Sequence, residues 1–221
     1  MEKIINNNYF RFGITFLLCL QYSLLRETSY STLTKPLPII FWLLIALFSE
    51  KNKAGGWIII SLGFAFLGDV LLDLGDQWLK IGALPFLLST AFLAVAFHFR
   101  LQMSNSNGSY LKRGFLFLLI ALPFIFIYRA LVQHSTEAAT IGAVLFTISV
   151  FLLWTSLSNL LCNKIEKITF NRPLLGFFGA CGIVANYVLY SIDLYVTPIP
   201  RDLVIQVYYW GTALVTWSFL E

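Results

Sequence analysis

Phe64-Ala65-Phe66-Leu67-Gly68-Asp69-Val70-Leu71-Leu72-Asp73 is an apolar run broken by two carboxylates four residues apart. Side chains at i and i+4 share one face of a helix, so a helical reading of the run points Asp69 and Asp73 the same way. The surrounding apolar segment, from about 57 to 74, approaches the roughly 20 residues a helix needs to cross hydrocarbon. An ionisable group inside such a span disfavours insertion by at least about 2.5 kcal/mol, and it usually faces a bundle interior or a wet cavity. The stretch therefore places the chain among membrane helix bundles and marks the inward face of this helix as the first place to look for chemistry.

Composition agrees. Of 221 residues, 58% are hydrophobic and 12% charged, against about 25% charged in an ordinary soluble domain. Successive apolar windows give an all-α, polytopic transmembrane bundle. Eight candidate spans lie near 10–25, 36–50, 57–74, 79–99, 114–132, 138–161, 174–195 and 203–220, forming one transmembrane domain over 1–221. Pro36 and Pro38 open the second span, where a first helical turn tolerates proline. Pro123 is expected to interrupt the fifth. Short connections predict antiparallel neighbours. The run ending at Leu25 has no small-residue cleavage site after it, so it reads as an uncleaved first span. No soluble domain is expected at either end.

An even number of spans puts both termini on one side. That side gathers Lys3, Arg11, Lys51, Lys53, Arg100, Lys112, Arg113, Lys164, Lys167 and Arg172, and the other side only Arg26, Lys35, Lys80, Arg129 and Arg201. The positive-inside rule then predicts cytoplasmic termini. In that orientation Lys35, Asp69, Asp73, Asp193 and Tyr208-Tyr209 all fall in the outer half of the bundle, at one depth. Asn186, Tyr190 and Asp193 share a face of the seventh span, with Tyr187 and Ser191 beside it, and Asp76 continues the Asp69/Asp73 face into the next loop.

These residues suggest an acid–base site in an apolar pocket. Burial disfavours the charged form of a carboxyl and a nearby cation favours it, so Lys35 can divide a pair of aspartates into one ionised and one protonated. Such a pair suits acid–base hydrolysis. The candidate catalytic residues are Asp69, Asp73 and Asp193, and the candidate substrate contacts are Lys35, Asn186, Tyr187, Tyr190 and Tyr209. Plainer readings stand beside these. Asp73 and Asp193 lie near span ends, where an acid reaches interfacial water. Lys35 can simply snorkel, and Tyr208, Tyr209 and Trp210 can form an interfacial aromatic belt. Asp69 is the hardest to explain away, being the deepest and having Gly68 beside it.

Other chemistries find no support. His98 and His134 show no paired spacing, and Cys19, Cys162 and Cys181 show no metal or redox spacing, so no metal is expected. No phosphate-cradling glycine loop or serine elbow occurs. The net charge of +4 is scattered over loops without a basic stripe, so nucleic acid is not an expected partner.

Taken in order along the chain, the motifs resemble the lysoplasmalogenase family, also called YhhN-type membrane proteins. The matching pieces are Thr34-Lys35-Pro36-Leu37, then Leu67-Gly68-Asp69-Val70-Leu71-Leu72, Gly82 with Phe86, Gly179-Ala180, Tyr195, Pro198 and Tyr208-Tyr209. The resemblance covers nearly the whole chain. It implies an eight-span hydrolase, needing neither metal nor organic cofactor, that cleaves the vinyl ether of a lysoplasmalogen to a fatty aldehyde and a glycerophospho-headgroup. The chain departs from the family pattern at four places. Asn186-Tyr187 stands for Ser-Asp, Thr90 for a histidine, Ala65 for a serine and Thr212 for a glutamine. Asp193 or Asp73 would then have to supply the second carboxylate.

The expected partners are a lysophospholipid substrate and membrane lipid. Two rival expectations are a lipid or small-molecule transporter with Asp69 and Asp193 as a proton relay, and a catalytically silent lipid-binding protein. Asn- and Lys-bearing loops without organelle signals point to a bacterial inner membrane.

Overall fold

The computed structural model describes residues 8–26, 28, 30–49, 53–74, 79–103, 110–134, 136–162 and 172–220. Every regular element among them is an α-helix. Eight long helices follow in order: α1 (Asn8–Leu25), α2 (Leu37–Phe48), α3 (Lys53–Asp73), α4 (Leu79–Met103), α5 (Tyr110–His134), α6 (Thr136–Cys162), α7 (Arg172–Tyr195) and α8 (Arg201–Phe219). A single helical turn, Ser31–Thr34, leads into α2. Asp76 lies outside the described residues, as do Lys3, Lys51, Lys164 and Lys167 of the basic tally. The same holds for the side chains of Lys53, Lys80, Lys112, Arg113, His134, Cys162 and Tyr195.

The helices fall close to the apolar windows, and the protein is an integral membrane protein. By length and composition five segments suffice to cross a bilayer: Ser31–Phe48, Ala54–Asp73, Ile81–Gln102, Gly142–Leu161 and Arg172–Leu194. Tyr9–Leu25 and Gly114–Phe126 are shorter apolar stretches. The eight-span expectation is therefore met in the number of helices and only partly in their hydrophobic length.

Helix α8 shows why the two differ. It packs against α1, α2, α3 and, most extensively, α7, and buries Tyr208, Tyr209, Thr212, Val215 and Thr216. A helix surrounded by protein does not need the uniform apolar surface that lipid demands. Its hydroxyls turn back onto the backbone, Thr216 Oγ1 donating to Thr212 O at 2.8 Å and Ser218 Oγ to Val215 O at 2.7 Å.

Two antiparallel pairs, α3/α4 and α7/α8, carry the most extensive contacts, and α6 bridges α4 and α7. Between α3 and α4, Trp57 stacks on Phe92 and Phe99 at centroid distances of 5.6 and 5.8 Å. Ser61 Oγ donates to Ser89 O at 2.8 Å across the same interface. Between α7 and α8 the backbones meet directly. A Cβ on Gly179 would stand 2.6 Å from Val215 N, and one on Gly211 would stand 2.8 Å from Ile183 N. Small residues of this kind let membrane helices approach where no hydrophobic effect drives them together.

Helix α5 is the outlier. It packs mainly on α6 and exposes Phe115, Leu118, Leu122 and Phe126, a surface suited to lipid. It also runs unbroken through Pro123, correcting the expected interruption. Helix α4 likewise runs through Pro85. Proline removes one backbone donor, and membrane helices tolerate this where neighbouring groups take up the freed carbonyl.

Candidate functional site

The site is built where α2, α3, α4, α7 and α8 converge. The turn Ser31–Thr34 comes first. Lys35 N donates to Ser31 O at 2.9 Å, and Thr34 Oγ1 bonds back to Tyr30 O and Ser31 O, both at 3.1 Å. Pro36 then caps α2 and Pro38 sits in its first turn, as expected for residues without an amide donor. The Tyr209 hydroxyl of α8 donates to the Lys35 carbonyl. Held this way, Lys35 Nζ reaches Asp73 Oδ1 at 3.3 Å, with side-chain exposures of 12% and 21%. The ion pair ties the start of α2 to the end of α3.

Asp69 lies one turn deeper. It is 3% exposed, and among the described residues nothing hydrogen-bonds its Oδ2. The charged groups acting on it are Lys35 and Asp73. Four phenols, those of Tyr22, Tyr187, Tyr208 and Tyr209, also lie within its electrostatic range. Their rings are packed in sequence. Phe86 meets Tyr208 edge-on at 5.5 Å, Tyr208 meets Tyr209 at 5.4 Å, and Tyr209 meets Tyr22 edge-on at 6.1 Å. Gly68 makes room for this wall, since a Cβ there would stand 2.6 Å from Phe86 Cε2. A buried carboxyl oxygen with no hydrogen-bond partner among the described residues is a costly arrangement that structure alone does not require.

The α7 candidates divide. Tyr187 is buried and its hydroxyl lies 2.5 Å from Thr90 Oγ1 and 3.4 Å from the Phe86 carbonyl. Asn186 Nδ2 donates to Val204 O at 2.7 Å and pins α7 to α8. Asp193 Oδ1 accepts from Ile199 N at 2.8 Å, closing the loop between those helices. Tyr190 is half-buried on the same side of α7 as Asn186. The structure thus gathers Lys35, Asp69, Asp73, Tyr187 and Tyr209 and turns the side chains of Asn186 and Asp193 to α8 and the connecting loop.

Three members of the cluster were not singled out as site residues by sequence: Tyr22, Thr90 and Tyr208. The available signal for Tyr22 is a phenol inside the first apolar run. For Thr90 it is a hydroxyl one turn beyond Phe86. The fourfold spacing of Thr90 from Phe86 also explains its bond to the Phe86 carbonyl at 2.9 Å, the usual back-bond of a helical threonine. His98 is spent on Gln102 at 2.9 Å. Among the described residues no three His, Cys, Asp or Glu side chains converge as metal ligands.

Fold and site together define a polytopic helical membrane protein with an acid buried among tyrosines at one end of its bundle. The chain belongs to the YhhN family, whose pattern matches residues 30–219. Neither the curated proteins nor the solved structures contain a match to it. Within the site, Thr90 of α4 and Tyr187 of α7 are hydrogen-bond partners of each other.

Proposed function

We propose that the protein is a lysoplasmalogenase-like ether hydrolase that cleaves the vinyl ether of a lysophospholipid, with Asp69 as its acid. The observation that carries the reading is Asp69 Oδ2, a carboxyl oxygen that is buried and has no hydrogen-bond partner among the described residues, beside an apolar, phenol-lined wall. A vinyl ether hydrolyses when an acid adds a proton to the alkene carbon remote from oxygen. The resulting oxocarbenium ion takes water at the carbon bearing oxygen. The hemiacetal then collapses to a fatty aldehyde and a glycerol hydroxyl. One water is consumed, and Asp69 recovers its proton from the water that adds. The logic parallels glycoside hydrolysis, in which a carboxylic acid also generates an oxocarbenium-like centre.

Lys35 and Arg201 stand at the end of the bundle where a phosphate headgroup would remain in the interface, and the chain of the lipid would lie against the apolar wall. Cytoplasmic termini would place this end on the outer face of a bacterial inner membrane. A second reading, a lipid-binding protein that holds its ligand without cleaving it, is favoured by one observation. The resemblance implies a second carboxylate where this chain carries Tyr187.

The deciding experiment is aldehyde release from a defined lysoplasmalogen by detergent-purified protein. Release by the wild type that falls about 100-fold or more in Asp69→Asn supports the hydrolase. Folded wild-type protein that binds the lipid and releases no aldehyde supports the second reading and overturns the first.

A further inference from the structure

The hydroxyls of Thr90 and Tyr187 share a single outlet. Between them they hold two protons, and among the described residues the acceptors they reach are each other and the carbonyl of Phe86. If Thr90 donates to Phe86 O at 2.9 Å, then Tyr187 donates to Thr90 at 2.5 Å. The reverse order, with Thr90 donating to Tyr187, would leave Phe86 O only the Tyr187 hydroxyl at 3.4 Å, beyond the usual O–H···O range, so the shorter Thr90 bond selects the first arrangement. In that arrangement the Tyr187 proton stays inside this triangle. Its oxygen keeps a lone pair for the rest of the site and has no proton to offer. Phe86 connects this triangle to the acid: its carbonyl lies 3.4 Å from the Tyr187 hydroxyl, and its ring packs on Gly68, the residue before Asp69, and edge-on to Tyr208.

Resting on the hydrolase reading, the geometry points to Tyr187 as the group that holds the attacking water, with Thr90 as the residue that positions it. An acceptor-only oxygen takes one hydrogen of a water and leaves that water's own lone pairs free to attack. A hydroxyl free to donate would occupy one of those lone pairs and turn the water away. After Asp69 has given its proton to the alkene carbon, the water held on Tyr187 adds to the oxocarbenium carbon. Its second hydrogen passes to the Asp69 carboxylate, restoring the acid. Tyr187 exchanges no net proton, so a phenol serves here without having to ionise. Water capture would thereby need no second carboxylate beside Asp69, the role for which Asp73 or Asp193 was expected.

Three variants of the full-length protein test the assignment, each compared with the wild type and Asp69→Asn. Tyr187→Phe keeps the ring and removes the acceptor. It is expected to lower kcat about 100-fold, the usual effect of losing the position of a reacting group, with KM little changed. Thr90→Val keeps the shape, removes the hydroxyl and frees the Tyr187 proton, so it should lower kcat in the same direction. Thr90→Ser should retain wild-type kcat. The product ratio in aqueous methanol gives a readout that packing alone would not move. Wild-type protein should form aldehyde in preference to the mixed methyl acetal, and Tyr187→Phe should lose that preference. If Tyr187→Phe and Thr90→Val keep wild-type kcat and product ratio while Asp69→Asn is inactive, the water-holding role is overturned and the hydrolase reading stands. If folded wild-type protein is itself inactive, both fall.

Discussion

The two ends of the bundle handle buried polar atoms in opposite ways. Away from Lys35, Asn159 Nδ2 donates to Phe97 O at 2.6 Å and to Thr155 O at 3.1 Å. Arg100 donates to Ser218 O at 2.8 Å while its guanidinium lies 4.9 Å from the centre of the Phe219 ring. These groups are committed to backbone carbonyls and pin one helix to the next, and the buried oxygens left over there, Asn159 Oδ1 and Ser158 Oγ, are neutral. At the Lys35 end the leftover atoms include a carboxyl oxygen, Asp69 Oδ2, together with the hydroxyl of Tyr208 beside it. A pinning group contributes to stability, whereas a buried acid without a pinning role is best explained by what it does to a ligand.

The sharpest break in that comparison is a pair of isosteric substitutions. Asp69→Asn should lower aldehyde release by about 10²–10⁴-fold with the thermal midpoint held or raised. Asn159→Leu should do the reverse, lowering stability by about 1 kcal/mol with activity per folded molecule unchanged. Thermal unfolding in detergent read alongside turnover separates the two. A larger structural effect is expected at the α7/α8 contact. Gly179→Val drives a side chain into Val215 and Gly211, and overpacking of this kind costs about 1–3 kcal/mol, visible as a fall in folded yield.

Lys35→Gln sharpens the comparison within the site. Loss of a charged phosphate contact is worth about 1.5–3 kcal/mol, so KM for a lysoplasmalogen should rise about tenfold or more, while a vinyl ether without a phosphate should be cleaved as before. An equal change for both substrates would make Lys35 a partner of Asp73 only. The smallest effect belongs to the ion pair between Arg26 at the end of α1 and Asp202 at the start of α8. It is short at 2.7 Å but exposed by 30% and 49%, so Arg26→Ala should change stability by less than about 1 kcal/mol.

Much of the fold was legible because the bilayer imposes a length and a hydropathy on each crossing. The apolar windows fell within a few residues of the helix ends for that reason. Pro123 misled because a break within a bilayer would leave still more backbone groups unpaired than the one bond proline removes, so the helix continues through it. The interior position of α8 was hidden as well. Hydropathy reports whether a segment resembles lipid, and α8 is covered by other helices. In the site, Asp69 announced itself by chemistry out of place. The Thr90–Tyr187 contact did not, because it joins residues 97 apart in sequence whose types are common in any helix. Asp193 looked like part of a face because helical spacing fixes direction, yet the loop beyond α7 supplied it with an amide.

The wall around Asp69 has a consequence for how the chain is made. Its acid belongs to α3, while three of the four phenols in its range, those of Tyr187, Tyr208 and Tyr209, belong to the last two helices. Synthesis proceeds from the amino terminus, so Asp69 reaches the membrane long before most of its surroundings exist. Until α7 and α8 arrive, that helix must keep its acid against α2 and α4 or at the headgroup level. The close Gly179–Gly211 contact suits the final pair to enter as one hairpin, whose docking would complete the wall around Asp69 in a single late step.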